Sequence, residues 1–311
     1  MARSEPQSRP VNNLLGAAWM LASALGFTVF LLLSKLLSEA HNPGFLAFWR
    51  TAIALLVIGP YVLFRDPDAI RVYQPLRLGL RSLLGTLGFV LGMFAVSDAI
   101  GLPLSQFNAI SFSRALFVTV LAALILREHV GAHRWGAVAA GFVGVLIMVR
   151  PELFFFWQDA PASDPNSNVA LGTTMAIASA FFLAMAIILV KTLTELHSPM
   201  TLLLWASILS TILLLPFLFL TWSEPTLKEW GLITLMALCG TGAQFCYITA
   251  MSVGDASFLS PMDYLRLPLA AAADWLVFRL FPGPFVWIGA IIIIGSTLYI
   301  TVRERVIRQR K

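Results

Sequence analysis

Long runs of apolar residues, separated by short polar segments, follow one another along the whole 311-residue chain. A helix needs about 20 apolar residues to cross the hydrocarbon of a bilayer, at a rise of 1.5 Å per residue. The pattern therefore predicts an all-α integral membrane protein with ten transmembrane helices. The predicted spans are residues 14–37, 44–64, 78–98, 103–126, 134–150, 169–193, 199–221, 229–251, 256–278 and 284–302.

Two of these spans carry an arginine well inside the apolar run. Arg114 and Arg266 are 152 residues apart, and the same offset places Trp135 on Trp287. A guanidinium group keeps its proton under all ordinary conditions, so it must face other protein groups or a water-filled cavity. We expect both arginines to lie at the floor of one solute pathway.

A second constant offset extends this internal repeat to the start of each half. At 156 residues, identical polar or bulky residues coincide: Lys35 with Lys191, His41 with His197, and Trp49 with Trp205. The chain is thus two repeats of five spans, residues 14–150 and 169–302, joined by the loop 151–168. Because five is odd, the second repeat enters the membrane from the opposite side, which predicts two inverted five-helix repeats.

Composition and charge agree with a polytopic membrane protein. The chain is 59% hydrophobic and 12% charged, with a mean hydropathy of +0.83, whereas soluble domains are about 45–50% apolar and about 25% charged. The formal charge of +5 comes from arginines in short loops and the tail, so no nucleic-acid partner is expected. Their distribution predicts a bacterial inner-membrane protein with residues 1–13 and the basic tail 303–311 in the cytoplasm and the loop 151–168 in the periplasm.

The sequence offers no pattern typical of catalysis, of a metal site or of a bound cofactor. The four histidines are scattered, and the two cysteines, Cys239 and Cys246, lie two helical turns apart. Outside the spans there is no room for a nucleotide-binding domain, and no ATPase partner is indicated. The expected partners are a small-molecule substrate and the lipid bilayer, while a monomer and a homodimer remain equally open.

Two segments at equivalent places carry a resemblance to a known family. Residues 110–151 contain ISFSRALFVTV and residues 255–304 contain SPMDYLRLPLA; together with the repeat they resemble the drug/metabolite transporter superfamily in its ten-helix EamA-like branch. The resemblance implies transport of small organic metabolites. Members similar to this chain export amino acids or take up metabolites such as S-adenosylmethionine. The family's glutamate after the fourth span is matched by Glu128, but its second-half place holds Leu280.

Candidate site residues are the polar and aromatic groups placed deep in spans four, eight and nine. The candidates for substrate binding are Arg114, Arg266, Asn108, Ser111, Gln244, Tyr247, Tyr264 and Trp275. The candidates for proton coupling or gating are Asp263, Asp274 and Glu128. Each also has a purely structural interpretation, namely hydrogen bonding between helices or a local ion pair. Arg50, near the start of the second span, is expected to snorkel to the outer interface.

These observations favour a secondary transporter that works by alternating access. Fixed cations in an aromatic and aliphatic cavity suit an amphipathic carboxylate, so the expected activity is export of apolar or aromatic amino acids. The alternative is an uptake permease for a nucleoside-like or cationic metabolite such as S-adenosylmethionine, in which Asp263 and Asp274 matter more. A membrane-embedded enzyme acting on lipids and a channel are the alternatives of another class.

Overall fold

The structure, a computed structural model, describes residues 13–65, 70, 72–125, 132–149, 168–193, 197, 199–253 and 260–309. Throughout these ranges the regular structure is helical, without a β-strand. The α-helices are α1 (Asn13–Leu37), α2 (Pro43–Arg65), α3 (Pro75–Val96), α4 (Leu104–Ser111), α5 (Arg114–Ile125), α6 (Ala132–Val149), α7 (Val169–Leu193), α8 (Pro199–Leu220), α9 (Leu227–Val253), α10 (Arg266–Phe278) and α11 (Pro284–Gln309). A 3₁₀ segment, Ser260–Leu265, precedes α10.

The helices are long and apolar enough for the membrane. Seven stretches in the described ranges qualify as spans by length and composition, with α4 and α5 together forming one of them, Leu104–Ile125. Shorter apolar helices occur at Trp135–Ile147 and Pro284–Ser296. With the 13-residue α10, these elements correspond to all ten predicted spans, so the predicted fold class is confirmed.

The first helix of each repeat packs against the third helix of the other repeat. The first-repeat helix α1 packs along α9, and the equivalent second-repeat helix α7 packs along α3. The α3–α7 contact is close because Gly88 has no side chain: a Cβ there would meet Leu183 Cγ at 2.9 Å and the Ser179 carbonyl oxygen at 3.0 Å. The Ser179 hydroxyl then donates to the Gly88 carbonyl at 2.6 Å. This reciprocal pairing is the arrangement expected of two inverted repeats.

The fourth and ninth spans are each interrupted immediately before their arginine. The fourth divides into α4 and α5 at Phe112–Ser113, where Ser113 N–H donates to the Ile110 carbonyl in the tighter i→i−3 pattern. In the ninth span, a proline at Pro268 excludes a normal α-helical turn on its N-terminal side, because its ring clashes with the carbonyl four residues earlier. The predicted spans 103–126 and 256–278 thus each contain a break in the α-helix just before the arginine.

Repeat-related histidines fasten the two repeats together at opposite ends of the bundle. His41 Nδ1 lies 2.6 Å from Ser223 Oγ, and its Nε2 lies 3.7 Å from a Glu229 carboxylate oxygen. At the other end, Tyr73 N–H donates to His197 Nε2 at 2.8 Å. We call these the His41 end and the His197 end; the first is predicted to be periplasmic and the second cytoplasmic.

Candidate solute pathway between the repeats

The two interrupted spans cross each other at a repeat-related pair of aromatic rings. Phe112 and Tyr264 each stand two residues before an embedded arginine, and their ring centroids are 4.8 Å apart at an interplanar angle of 81°. Residues that are equivalent in the two repeats and touch each other lie on the axis that relates the repeats. The crossing therefore marks the centre of the bundle, which is where substrate sites occur in transporters built from inverted repeats.

Arg266 begins α10 beside this crossing and stacks on aromatic rings from two other helices. Its Cζ lies 4.1 Å from the ring centroid of Phe27 on α1 and 5.8 Å from that of Tyr247 on α9. Such geometry is a cation–π contact, in which the ring faces attract the charge. Thus the structure brings together Arg266 and Tyr247, two residues that the sequence proposed for the same site.

A third arginine lies in the interior, contrary to expectation. Arg50 does not snorkel to the interface: its Cζ is 4.5 Å from the ring centroid of Phe89 and 5.7 Å from that of Phe30. Its Nε is buried and has no hydrogen-bond partner in the described part of the chain. Closeness to a span end suggested snorkelling, but the face of α2 that carries Arg50 is turned toward α1, α3 and α9.

One face of α9 connects the two arginine positions. Gly240 lies next to Phe30 and Arg50, and Tyr247 lies next to Arg266. Gln244 falls between them at helical spacing, so it shares that face. On the opposing helix, Phe27 and Phe30 are one turn apart, which is about 5 Å along the axis. We name Phe27, Phe30, Arg50, Phe89, Tyr247 and Arg266 the arginine–aromatic cluster.

Arg114 occupies the equivalent position in the first repeat. It begins α5, is half-buried, and shares a helical face with Leu121, whose side chain packs with Ala184 and Ile188 of α7. The helix α7 is the repeat counterpart of α1, which faces Arg266. The two arginines therefore begin repeat-equivalent helices that pack against repeat-equivalent partners.

The remaining predicted binding residues do not gather in one place. Asn108 is buried, but its side-chain amide donates to the Leu104 carbonyl of its own helix at 2.9 Å. Ser111 is half-buried at the end of α4. Trp275 lies on the outward face of α10 with 53% of its surface exposed, so the structure does not bring it to the crossing.

Asp274 joins the second repeat to the start of α4. It is 1% exposed, and its oxygens accept hydrogen bonds from Leu104 N–H at 3.0 Å, Ser105 N–H at 2.7 Å and the Ser105 hydroxyl at 2.7 Å. Both carboxyl oxygens thus act as acceptors at the N-terminus of α4, where the helix dipole favours an acidic side chain. Neighbouring Lys35 places its Nζ 4.3 Å from the Phe278 ring centroid.

Other predicted functional groups lie outside the described atoms or away from the crossing. Glu128 and the side chain of Asp263 belong to the residues that are not described. No cluster of histidine, cysteine or acidic residues capable of holding a metal occurs in the described ranges. An open groove of about 610 Å³ runs between α6 and α11, lined by residues such as Gly136, Ala140 and Gly295, and is separate from the arginine–aromatic cluster.

Comparison with known proteins agrees with this architecture. The EamA-like transporter family matches residues 14–150 and 170–302, which are the two repeats. The chain belongs to the EamA-like transporter family. It is 32% identical over 304 residues to a riboflavin transporter of Vibrio cholerae, covering 94% of both chains. It is 28% identical over 297 residues to an S-adenosylmethionine uptake transporter of Rickettsia bellii, covering 96% of this chain and 97% of the relative.

A solved crystal structure shows the same fold. It superposes with a TM-score of 0.58 at 18% identity, over 92% of this chain and 98% of the other. Family membership makes this chain a small-molecule transporter of the membrane, and the names of its relatives indicate transport rather than catalysis. The sequence interpretation named the superfamily correctly. The two relatives described above are named as riboflavin and S-adenosylmethionine transporters, not as the amino-acid exporters first expected, and the second matches the alternative stated from the sequence.

Proposed function

We propose that this transporter carries a planar heteroaromatic solute of the flavin type across the bacterial inner membrane. The observation that carries the proposal is the arginine–aromatic cluster, in which Arg50 and Arg266 lie over Phe30 and Phe27, which are one turn apart on α1. Flat ring faces suit a flat, polarizable ligand, and guanidinium groups suit its carbonyl or nitrogen acceptors. A riboflavin transporter at 32% identity supports this choice.

Charge argues against a cationic substrate. Arg50, Arg266 and Lys35 all contribute positive charge to the interior, and the nearby carboxylate of Asp274 is already occupied by three donors. Two like charges 6 Å apart repel by about 3 kcal/mol at an effective dielectric constant of 20. A sulfonium compound such as S-adenosylmethionine would meet this repulsion, whereas neutral riboflavin would not.

The second candidate remains S-adenosylmethionine uptake, which is favoured by the similarity to the Rickettsia bellii protein. Its adenine ring and carboxylate would also suit aromatic faces and arginines. Export of apolar amino acids is the third possibility. The carboxylate of an amino acid suits a guanidinium group, but its side chain needs fewer ring contacts than the cluster provides. A single transport assay distinguishes these three candidate substrates.

That assay is counterflow in proteoliposomes. The purified protein is reconstituted with unlabelled solute inside, and accumulation of labelled riboflavin, S-adenosylmethionine, phenylalanine and leucine is measured. We expect riboflavin to accumulate well above protein-free liposomes and the amino acids not to. Accumulation of S-adenosylmethionine alone supports the second candidate, and accumulation of amino acids alone contradicts the flavin proposal.

Arg266 provides the residue-level test of the same proposal. Loss of a hydrogen bond to a charged group costs about 1.5–3 kcal/mol, which corresponds to a roughly tenfold to hundredfold weaker affinity. We expect Arg266→Ala to show this loss and Arg266→Lys to recover only part of it, since lysine lacks the planar fork. Arg279→Ala is the matched control, because Arg279 is exposed just beyond the same helix. Unchanged affinity in a well-folded Arg266→Ala protein would remove this arginine from the site.

A further inference from the structure

Arg50 differs from Arg114 and Arg266 in having no arginine at the equivalent place of the other repeat. At the offset of 156 that aligns the start of the two repeats, its position is matched by Ala206. A residue needed to hold the shared architecture would be expected in both repeats. Its presence in one repeat only indicates a role that the fold itself does not require.

The surroundings of Arg50 leave its in-plane donors unsatisfied. Arg50 Cζ lies over the rings of Phe89 and Phe30, at 4.5 Å and 5.7 Å from their centroids, and the guanidinium carries five N–H donors in its plane. Nε is buried without a hydrogen-bond partner, and Arg50 has neither a hydrogen bond nor an ion pair with any described residue. Ring faces attract the charge but cannot accept these in-plane bonds as an oxygen does.

Gly240 keeps space beside this guanidinium. A Cβ at Gly240 would lie 3.0 Å from Phe30 Cδ2 and 3.5 Å from Arg50 Nε. Any larger side chain would press on both groups. Gln244, one turn further on the same face of α9, lies between the positions that face Arg50 and Arg266.

We propose that Arg50, Phe30 and Phe89 form a subsite that receives the carbonyl-bearing edge of a planar heteroaromatic substrate; this inference rests on the proposed function. The fork of one guanidinium matches two neighbouring ring acceptors, while the phenylalanines contact the flat faces. A phosphorylated ligand is disfavoured, because among the described residues Arg50 alone is placed over these two rings, and phosphate recognition draws on several donors. Arg50 is thus a specificity-determining residue.

The test compares binding of riboflavin to purified Arg50→Gln and Arg50→Lys proteins through quenching of flavin fluorescence. Loss of charge-assisted hydrogen bonds should weaken binding by about tenfold to hundredfold in Arg50→Gln, and Arg50→Lys should lose several-fold. The matched control is Arg65→Gln, because Arg65 is an exposed arginine at the end of the same helix. Its affinity should equal that of the unaltered protein.

A ligand-side change separates direct contact from a structural role. An isoalloxazine analogue with a ring carbonyl oxygen replaced by sulfur, a weaker acceptor, should bind the unaltered protein less tightly and should be nearly insensitive to Arg50→Lys. If Arg50→Gln fails to fold, this comparison on the charge-retaining Arg50→Lys protein decides the matter. Equal effects of Arg50→Lys on both ligands, or none on either, would overturn the subsite.

The outcomes also distinguish this inference from the proposed function. Absence of riboflavin binding to the unaltered protein contradicts the proposed function and the subsite with it. Normal binding to the unaltered protein and equally normal binding to a folded Arg50→Gln protein overturns the subsite alone. Tighter binding of a phosphorylated flavin than of riboflavin would overturn the proposal that Arg50 binds the ring carbonyls.

Discussion

Asp274 offers a sharp test of how the two repeats are held together at the His41 end. Asp274→Ala removes the acceptor for two backbone N–H groups at the start of α4 and for the Ser105 hydroxyl. All three donors are buried, so no solvent replaces the lost carboxylate. The variant should therefore lower the free energy of unfolding.

The size of the effect follows from the bonds that are lost. A hydrogen bond to a charged group contributes about 1.5–3 kcal/mol, and loss of a helix N-cap costs about 0.5–2 kcal/mol. The three bonds share one carboxylate, so their contributions are not additive. We expect about 3 kcal/mol for Asp274→Ala, and about 1 kcal/mol for Ser105→Ala, which keeps both backbone bonds.

Reversible unfolding in mixed detergent micelles, followed by tryptophan fluorescence, measures these values. The double variant completes the cycle: Ser105→Ala should cost almost nothing once Asp274 is alanine, because its acceptor is gone. Arg279→Ala, at the exposed end of the same helix, controls for nonspecific loss. A folded Asp274→Ala protein within about 0.5 kcal/mol of the unaltered one, or a fully additive double variant, would refute the cap.

Two further predictions concern the ends of the bundle. His197→Ala leaves Tyr73 N–H without its acceptor, so hydrogen exchange at that amide should accelerate about fivefold, as the loss of roughly 1 kcal/mol implies; unchanged exchange would contradict the tether. Labelling of a cysteine at Ser163, in a variant lacking both native cysteines, should occur in intact cells if the connecting loop is periplasmic. Labelling that requires lysis would reverse the predicted orientation.

Much of the architecture could be predicted because repeats and long apolar runs are properties of the sequence itself. The offset that pairs Arg114 with Arg266 also identified the two spans that cross at Phe112 and Tyr264. The helix interruption escaped prediction at the fourth span, since residues 104–125 contain neither proline nor glycine. Only hydrogen bonding between neighbouring carbonyls and amides determines where that helix divides.

The direction in which a side chain faces was the harder problem. In a bilayer the lipid and the protein interior are both apolar, so hydrophobic periodicity does not distinguish the outward face from the inward one. Trp275 and Asp274 are sequence neighbours, yet one is 53% exposed and the other 1%. For the same reason Arg50 was assigned to the interface, although three helices enclose it.

The cap formed by Asp274 exists on one side of the molecule only, because the residue at the equivalent place in the first repeat is Ala122. A perfectly symmetric inverted repeat would populate its two end states equally. If the cap opens when the transporter changes sides, the capped state gains a stabilisation that its mirror state lacks, and each 1.4 kcal/mol changes the population ratio tenfold. A substrate that binds the less populated state then shows an apparent affinity lowered by the fraction of that state. One aspartate without a repeat counterpart would thus give the resting transporter a preferred side.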